Sequence, residues 1–389
     1  MTEVFARSAG PELRHAGAVL TVDLAALVEN WRALAAVSEP AQTAGVLKAD
    51  AYGLGAGPVA AALAQAGCRT FFVALPEEGV AVRAAAPEAR ILVLNGLFGE
   101  DSPQTYAEHS LIPVLNSATD LRIWETFCGV TGTRHPCAIH VDTGMNRLGL
   151  TAADALAFAQ DNALTGAIHP ILLMSHLACA DEPAHPMNAA QLESFQAIGA
   201  AFGPIERSLA NSAGILLGKD HHFDLTRPGI AVYGGSPLPG VRNPMRTVVS
   251  AQARVVQVRH AHSGETVGYG ATARLERDTI IAVCAAGYGD GYSRAGSGSG
   301  VALRETGRAA AQGFVAGRRV PVIGRITMDL TMFDVTDYGH GAVNPGDFVE
   351  LFGPNIPIDE AARAAGTIAY EILTSIGRRY HRQYVGMEA

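Results

Sequence analysis

Between Val19 and about Gly235 short apolar runs alternate with helical stretches, and this alternation limits the fold more than any other feature of the chain. The runs are VLTV (19–22), GVLK (45–48), FFVAL (71–75), ILVL (91–94), IPVL (112–115), AIHV (138–141), ILLMS (171–175) and SLAN (208–211). An extended pair, FDLT (223–226) and IAVY (230–233), closes the series. Helical patterns lie between them. Over 23–35, Leu24, Leu27, Val28, Trp31 and Leu34 fall on one face, with Asp23 placed to cap the N-terminus. Residues 57–66 start near Pro58 and stop at Gly67, and 188–202 carry Leu192, Phe195, Ile198 and Phe202 on one side. About eight strands alternating with helices predict an α/β fold, an N-terminal (β/α)8 barrel. On pattern alone a doubly wound open sheet is the alternative.

The texture changes at SPLPGVRNP (236–244), a Pro- and Gly-rich stretch that reads as a boundary. Beyond it come the β-type runs VSAQARVVQV (249–258), TIIAVCAA (279–286), RVPVIG (319–324), TMFDVT (331–336) and DFVELF (347–352). The expected organisation is therefore a barrel over 1–240 and a β-rich C-terminal domain over 241–389. The stretch AGSGSG (295–300) reads as an exposed flexible loop.

Composition removes several classes of function. The net charge of −8 and the scattered Lys and Arg leave no basic stripe, which argues against a nucleic-acid partner. No apolar stretch approaches the roughly 20 residues of a membrane span, so no membrane association is expected. The polar, mixed N-terminus argues against a secretory signal. Five scattered cysteines without a CxxC pair read as reduced thiols, and the expected compartment is cytoplasmic.

Active sites of such barrels gather at the C-terminal ends of the strands. On the strand assignment above, Lys48 ends the second strand, Asp142 follows the sixth and His176 the seventh. Asn211 and Ser212 follow the eighth, and Arg227 follows the run at 223–226. Singly, each has an ordinary reading: a snorkelling lysine, a hydrogen-bonded core histidine, an arginine capping a strand end. Jointly they mark a site. Histidine pairs at 169/176 and 221/222 lack a ligand set with metal-binding spacing, so no metal is expected.

The segments VLKADAYGLG (46–55), VDTGMNRLGL (141–150), LTRPGIAVYG (225–234) and GYGAT (268–272) resemble the alanine racemase family, and the similarity runs from about residue 17 to about 385. The resemblance implies an enzyme that interconverts L- and D-alanine on pyridoxal 5'-phosphate, with Lys48 carrying the cofactor. Racemisation takes the α-proton from one face and returns one on the other, so two bases are needed. The resemblance assigns them to Lys48 and to Tyr269 of a partner subunit, which implies a homodimer with shared sites. It further implies that Tyr52, Ser212, Gly229, Ile230 and Tyr370 hold the phosphate, that Asn211 and His176 line the cofactor, and that Arg227 faces its pyridine nitrogen. A permanent guanidinium there disfavours protonation of that nitrogen, which weakens the electron sink and discourages transamination. Arg147 would meet the substrate carboxylate, with Tyr288 and Met328 contributed by the partner.

One position departs from the family. Many members carry a carbamylated lysine two residues before the counterpart of Asp142; here His140 stands there, and no carbamate is expected. Three rivals compete with the racemase reading. A barrel-type amino-acid decarboxylase needs no second base, and a non-catalytic pyridoxal-phosphate carrier would end near the barrel. A racemase of broader specificity, acting for instance on serine, is separated least by sequence.

Overall fold

The computed structural model describes residues 10–387. Eight parallel strands form a ring: Gln42–Thr43 running on into Gly45–Val46, Thr70–Val73, Arg90–Val93, Leu111–Leu115, Pro136–His140, His169–Met174, Glu206–Ser208 and Leu225–Thr226. Each pairs with the next in parallel register, from Gly45 opposite Phe71 to Met174 opposite Ser208. The ring closes where Leu225 pairs with Gln42, and where the Asp224 and Arg227 N–H groups donate to Arg207 O and Ala210 O at 3.0 and 2.9 Å. Strands covered on both faces read as unbroken apolar runs, and Thr70–Val73 and Leu111–Leu115 are buried along their whole length. The barrel expected from periodicity is present.

Its strand count starts one run later than the sequence suggests. Ala18–Asp23 is not a barrel strand; it pairs parallel with Tyr380–Val385 and antiparallel with Val249–Ala261 in the C-terminal sheet. GVLK therefore supplies the first barrel strand and FDLT the eighth, while IAVY folds as a turn. A four-residue apolar run encodes burial but not its partners, and these partners lie far downstream. Asp23 does cap the following helix, accepting from the Ala26 N–H at 2.9 Å.

The chain separates into two compact units. One is the barrel, Val28–Val232 with Ser236–Pro244; the other joins, among the described residues, 10–27 with Tyr233–Gly235 and 245–387. The expected split at 240/241 thus leaves out the N-terminal strand's membership of the second unit. In that unit Val249–Ala261 is the spine. Its first half bonds Ala18–Asp23 and Phe348–Phe352, its second half Thr279–Cys284, with a register break between Val255 and Gln257.

The Gly/Ser run at 295–300 is not an exposed loop. Ser297 is fully buried, donates from Oγ to Arg294 O at 2.6 Å and accepts from the Ile326 N–H at 2.9 Å. A Cβ on Gly298 would stand 2.2 Å from Val322 O, so glycine is required there by close backbone approach. All five cysteines are free, and among the described residues no helix is long and apolar enough to cross a membrane.

Candidate active site

Lys48 follows the first barrel strand and opens an unusual turn. Ala49, Asp50, Ala51 and Tyr52 all have φ between 52° and 56°, and Gly53 has φ 80°. Left-handed backbone costs roughly 1–2 kcal/mol per non-glycine residue, so this turn persists only because its surroundings impose it. Ala51 N–H donates to Leu47 O at 2.8 Å and Gly53 N–H to Ala49 O at 2.7 Å. The Asp50 carboxylate accepts from the Ala56 N–H at 2.7 Å. The turn aligns Lys48 and Tyr52 on the barrel's C-terminal end. Burial pushes the Lys48 ammonium below its ordinary range; Arg147 pushes the same way and Glu78 opposes.

Arg227 follows the eighth strand and is buried. It donates to Ser175 O at 2.6 Å, to Leu209 O at 3.3 Å and to Ser208 Oγ. Burial pushes its guanidinium down to about 9, and these acceptors hold it charged at neutral pH. Its Nη2 also lies 3.4 Å from His176 Nδ1. A guanidinium only donates, so the His176 proton sits on Nε2. Burial, then Arg227, Arg147, Lys48 and His140, hold His176 well below its ordinary pKa and therefore neutral.

His140 is neutral as well, lowered to about 4 by burial and by Arg227 and Arg147. Its Nδ1 lies 2.7 Å from Asn116 Oδ1. Both donors of the Asn116 amide are engaged, with Leu94 O and Val114 O at 3.0 Å each. Nδ1 must then carry the proton, which leaves Nε2 as a lone pair. Arg147 stands exposed in the loop that follows, whose start is fixed by Asp142 accepting from the Gly144 and Met145 N–H groups at 2.8 and 2.9 Å.

The residues expected around a phosphate converge in part. Ser212 opens the short helix Ser212–Leu216, and its buried Oγ accepts from the Gly229 N–H at 2.8 Å and the Ala231 N–H at 3.3 Å. Tyr52 Oη lies so close to Gly229 that a Cβ there would be 2.2 Å away. This cradle of hydroxyls and backbone donors at strand ends fits a phosphate, and Arg227 with Lys48 fits the anionic, ring-bearing remainder of pyridoxal phosphate. Asn211 caps the helix, accepting from the Gly214 N–H at 2.8 Å, and Ile230 is buried beside the cradle.

The other expected residues lie in the C-terminal unit and are conspicuously bare. Tyr269, on the turn Tyr269–Ala271, is 72% exposed; Met328 is 54%, Tyr288 43% and Tyr370 41% exposed. Tyr288 and Met328 sit on adjacent loops joined by Tyr288 N–H to Thr327 O (3.0 Å) and Gly289 N–H to Met328 O (2.9 Å). Beneath them Arg379 bonds both Asp290 and Asp329.

Sequence reasoning missed Glu78, Asn116, Ser208 and Ala231, which act through contacts that no local pattern encodes. One available signal went unused: the chain has only two lysines, Lys48 and Lys219, and Lys219 is exposed in the turn Lys219–His221. Among the described residues no group of three or more His, Cys, Asp and Glu is arranged to hold a metal ion.

A strand-end lysine, a hydroxyl-lined anion cradle and a buried arginine in one barrel, with a β-rich second domain, define a barrel-type pyridoxal-phosphate enzyme. Residues 22–237 match the family model "Alanine racemase, N-terminal domain" and residues 248–384 "Alanine racemase, C-terminal domain". The chain belongs to the alanine racemase family, whose members are pyridoxal-phosphate-dependent isomerases. It is 54% identical to an alanine racemase of Rhizobium meliloti over 97% of this chain and 99% of that one. It is 55% identical to a biosynthetic alanine racemase of Agrobacterium fabrum over 94% of this chain and 93% of that one. The crystal structure of an alanine racemase from Bartonella henselae with covalently bound pyridoxal phosphate superposes with a TM-score of 0.88 at 38% identity, covering 95% of this chain and all of that one.

Proposed function

We propose that this chain interconverts L- and D-alanine with Lys48 as the base on one face of the substrate and Tyr269 of a second copy as the base on the other. When bound, pyridoxal phosphate supplies the electron sink that lets the α-proton leave. Lys48 accepts or returns the proton at Nζ, and its depressed pKa favours the free amine such a base requires. Tyr269 Oη exchanges the proton on the opposite face. Arg147, charged and exposed at the barrel's open end, receives the substrate carboxylate. Arg227 would present a positive charge to the pyridine nitrogen, and Ser212, Tyr52, Gly229, Ile230 and Tyr370 would hold the phosphate. Neutral His176 and Asn211 line the cofactor without adding charge. The neutral His140 stands where a carbamate would otherwise brace Arg147.

The exposure of Tyr269 carries the reading. A tyrosine 72% open to solvent contributes little to its own domain, and Tyr288 and Met328 share that openness. A homodimer whose C-terminal units complete each other's barrel sites gives all three a role. A cytoplasmic location accords with the five free cysteines.

The decisive assay follows the circular dichroism of L-alanine after addition of cofactor-loaded protein, with Lys48→Ala in parallel. Decay to zero with the parent and none with the variant is expected. A parent that leaves the signal unchanged removes the alanine assignment.

A further inference from the structure

Glu78 is one of two first-turn acids, with Glu77, of the helix Pro76–Ala85 after the second barrel strand. Its carboxylate does more than cap that helix. Oε2 accepts from the Ala74 and Leu75 N–H groups at 2.7 and 3.1 Å, while Oε1 reaches across to the Ala49 N–H at 2.6 Å. The Ala49 amide belongs to the peptide immediately after Lys48, at the entry of the left-handed turn. One side chain thus ties the loop after the second strand to the residue that follows the reactive lysine.

We propose that Glu78 is a positioning residue for Lys48: its carboxylate clamps the left-handed turn that aims the lysine and sets the charge its amine experiences. The inference rests on the reading of Lys48 as cofactor lysine and base. Three backbone N–H groups converging on one carboxylate fix it in place. A charge so fixed acts on Lys48 at every stage of turnover, whereas a mobile surface acid would be screened. The charged or titratable groups acting on Lys48 are Glu78 from its helix and Arg147 from the loop after the fifth strand; Lys48 in turn acts on His176. Glu78 is the sole carboxylate among them. It counters burial and Arg147, and so keeps the amine from losing its proton too readily when it must return one to the substrate. The clamp also opposes the strain of four successive left-handed residues, which would otherwise relax and carry Nζ off line.

The test uses the scarcity of lysine. In the cofactor-free chain, Lys48 and Lys219 are labelled competitively with acetic anhydride across pH and quantified by peptide mass spectrometry, with exposed Lys219 as internal reference. In Glu78→Gln, which loses the charge at nearly constant shape, the Lys48 profile must move to lower pH relative to Lys219. In the loaded enzyme kcat must fall by on the order of tenfold or more, as expected when a reacting group is misplaced. If Glu78→Gln does not fold by far-ultraviolet circular dichroism, Glu78→Asp decides, because withdrawing the carboxylate by one methylene must move the profile the same way. A Lys48 profile unmoved in the folded variant overturns the inference. Lys48→Ala separates the two levels: if that variant still racemises, the reading of Lys48 fails. If it is inactive while the Glu78 variants leave the labelling unmoved, only the role of Glu78 fails.

Discussion

Gly229→Ala is the substitution whose effect the geometry defines most sharply. The glycine φ is one that alanine also adopts, so the backbone does not forbid the change. The new methyl, however, would sit 2.2 Å from Tyr52 Oη and 3.1 Å from its Cζ. Ordinary contact requires the hydroxyl to retreat by about 1 Å or more. Tyr52 cannot easily turn aside, since its own backbone is held left-handed at φ 56° at the end of the Lys48 turn. Forcing an extra methyl into a packed site costs about 1–3 kcal/mol, which as lost affinity is roughly 5- to 150-fold. Because the displaced group is a phosphate donor in the proposed site, the loss should fall on ligands that carry a phosphate. Absorbance titration of the cofactor-free chain with pyridoxal phosphate and with pyridoxal measures this directly. We expect the variant to bind pyridoxal phosphate at least fivefold more weakly and pyridoxal nearly as the parent does. Affinity for pyridoxal phosphate within twofold of the parent, or equal losses for the two ligands, would refute the placement of the phosphate at Tyr52 and Gly229.

Other outcomes follow from burial and exposure. Between the ordinary imidazole value of 6.5 and the value of about 4 in the fold, the unfolded chain binds a proton that folded His140 refuses, so stability rises with pH across that window. Acidifying from pH 6.5 to 5 then costs about 1.6 kcal/mol through this residue, and His140→Gln should lose less melting temperature on acidification than the parent; equal losses would count against a neutral buried His140. Tyr269→Phe should lower kcat by about 10²–10⁴-fold while leaving the melting temperature unchanged, because the side chain is 72% exposed. On the proposed shared-site dimer, Lys48→Ala and Tyr269→Phe chains, each inactive alone, should regain about a quarter of parental activity when unfolded and refolded together, since half the dimers would be mixed and each would hold one intact site. No regain would mean that each site is built within one chain.

The barrel was legible because its strands are covered on both faces and read as continuous apolar runs, and Lys48 was legible because it ends such a run. What escaped was whatever depends on partners distant in sequence. VLTV resembles any buried strand, and nothing local tells that it joins Val249–Ala261 instead of GVLK. The left-handed turn hides behind Ala, Asp, Ala and Tyr, of which only Asp50 is a usual turn residue, with Gly53 as the other hint. Glu78 looks like an ordinary first-turn acid until the fold brings the Ala49 amide to it. AGSGSG misled for the opposite reason: small residues suit both flexible loops and tight packing, and burial alone separates the two.

The charges around Lys48 have one physical logic. The chain as a whole is acidic, yet this end of the barrel gathers Lys48, Arg147 and Arg227, and the carboxylates of Asp50, Glu78 and Asp142 are occupied with backbone N–H groups. Burial first, and then the neighbouring cations, hold Lys48 and the two histidines below their ordinary values. Keeping His140 and His176 neutral prevents the repulsion from growing to five charges. A pocket of this kind would be stabilised by anionic occupants, which in the proposed site are a phosphate at the Ser212 cradle and a substrate carboxylate at Arg147. Burial, seconded by Arg147, favours the free amine of Lys48, so the cation proposed to meet the substrate carboxylate also helps to ready the base.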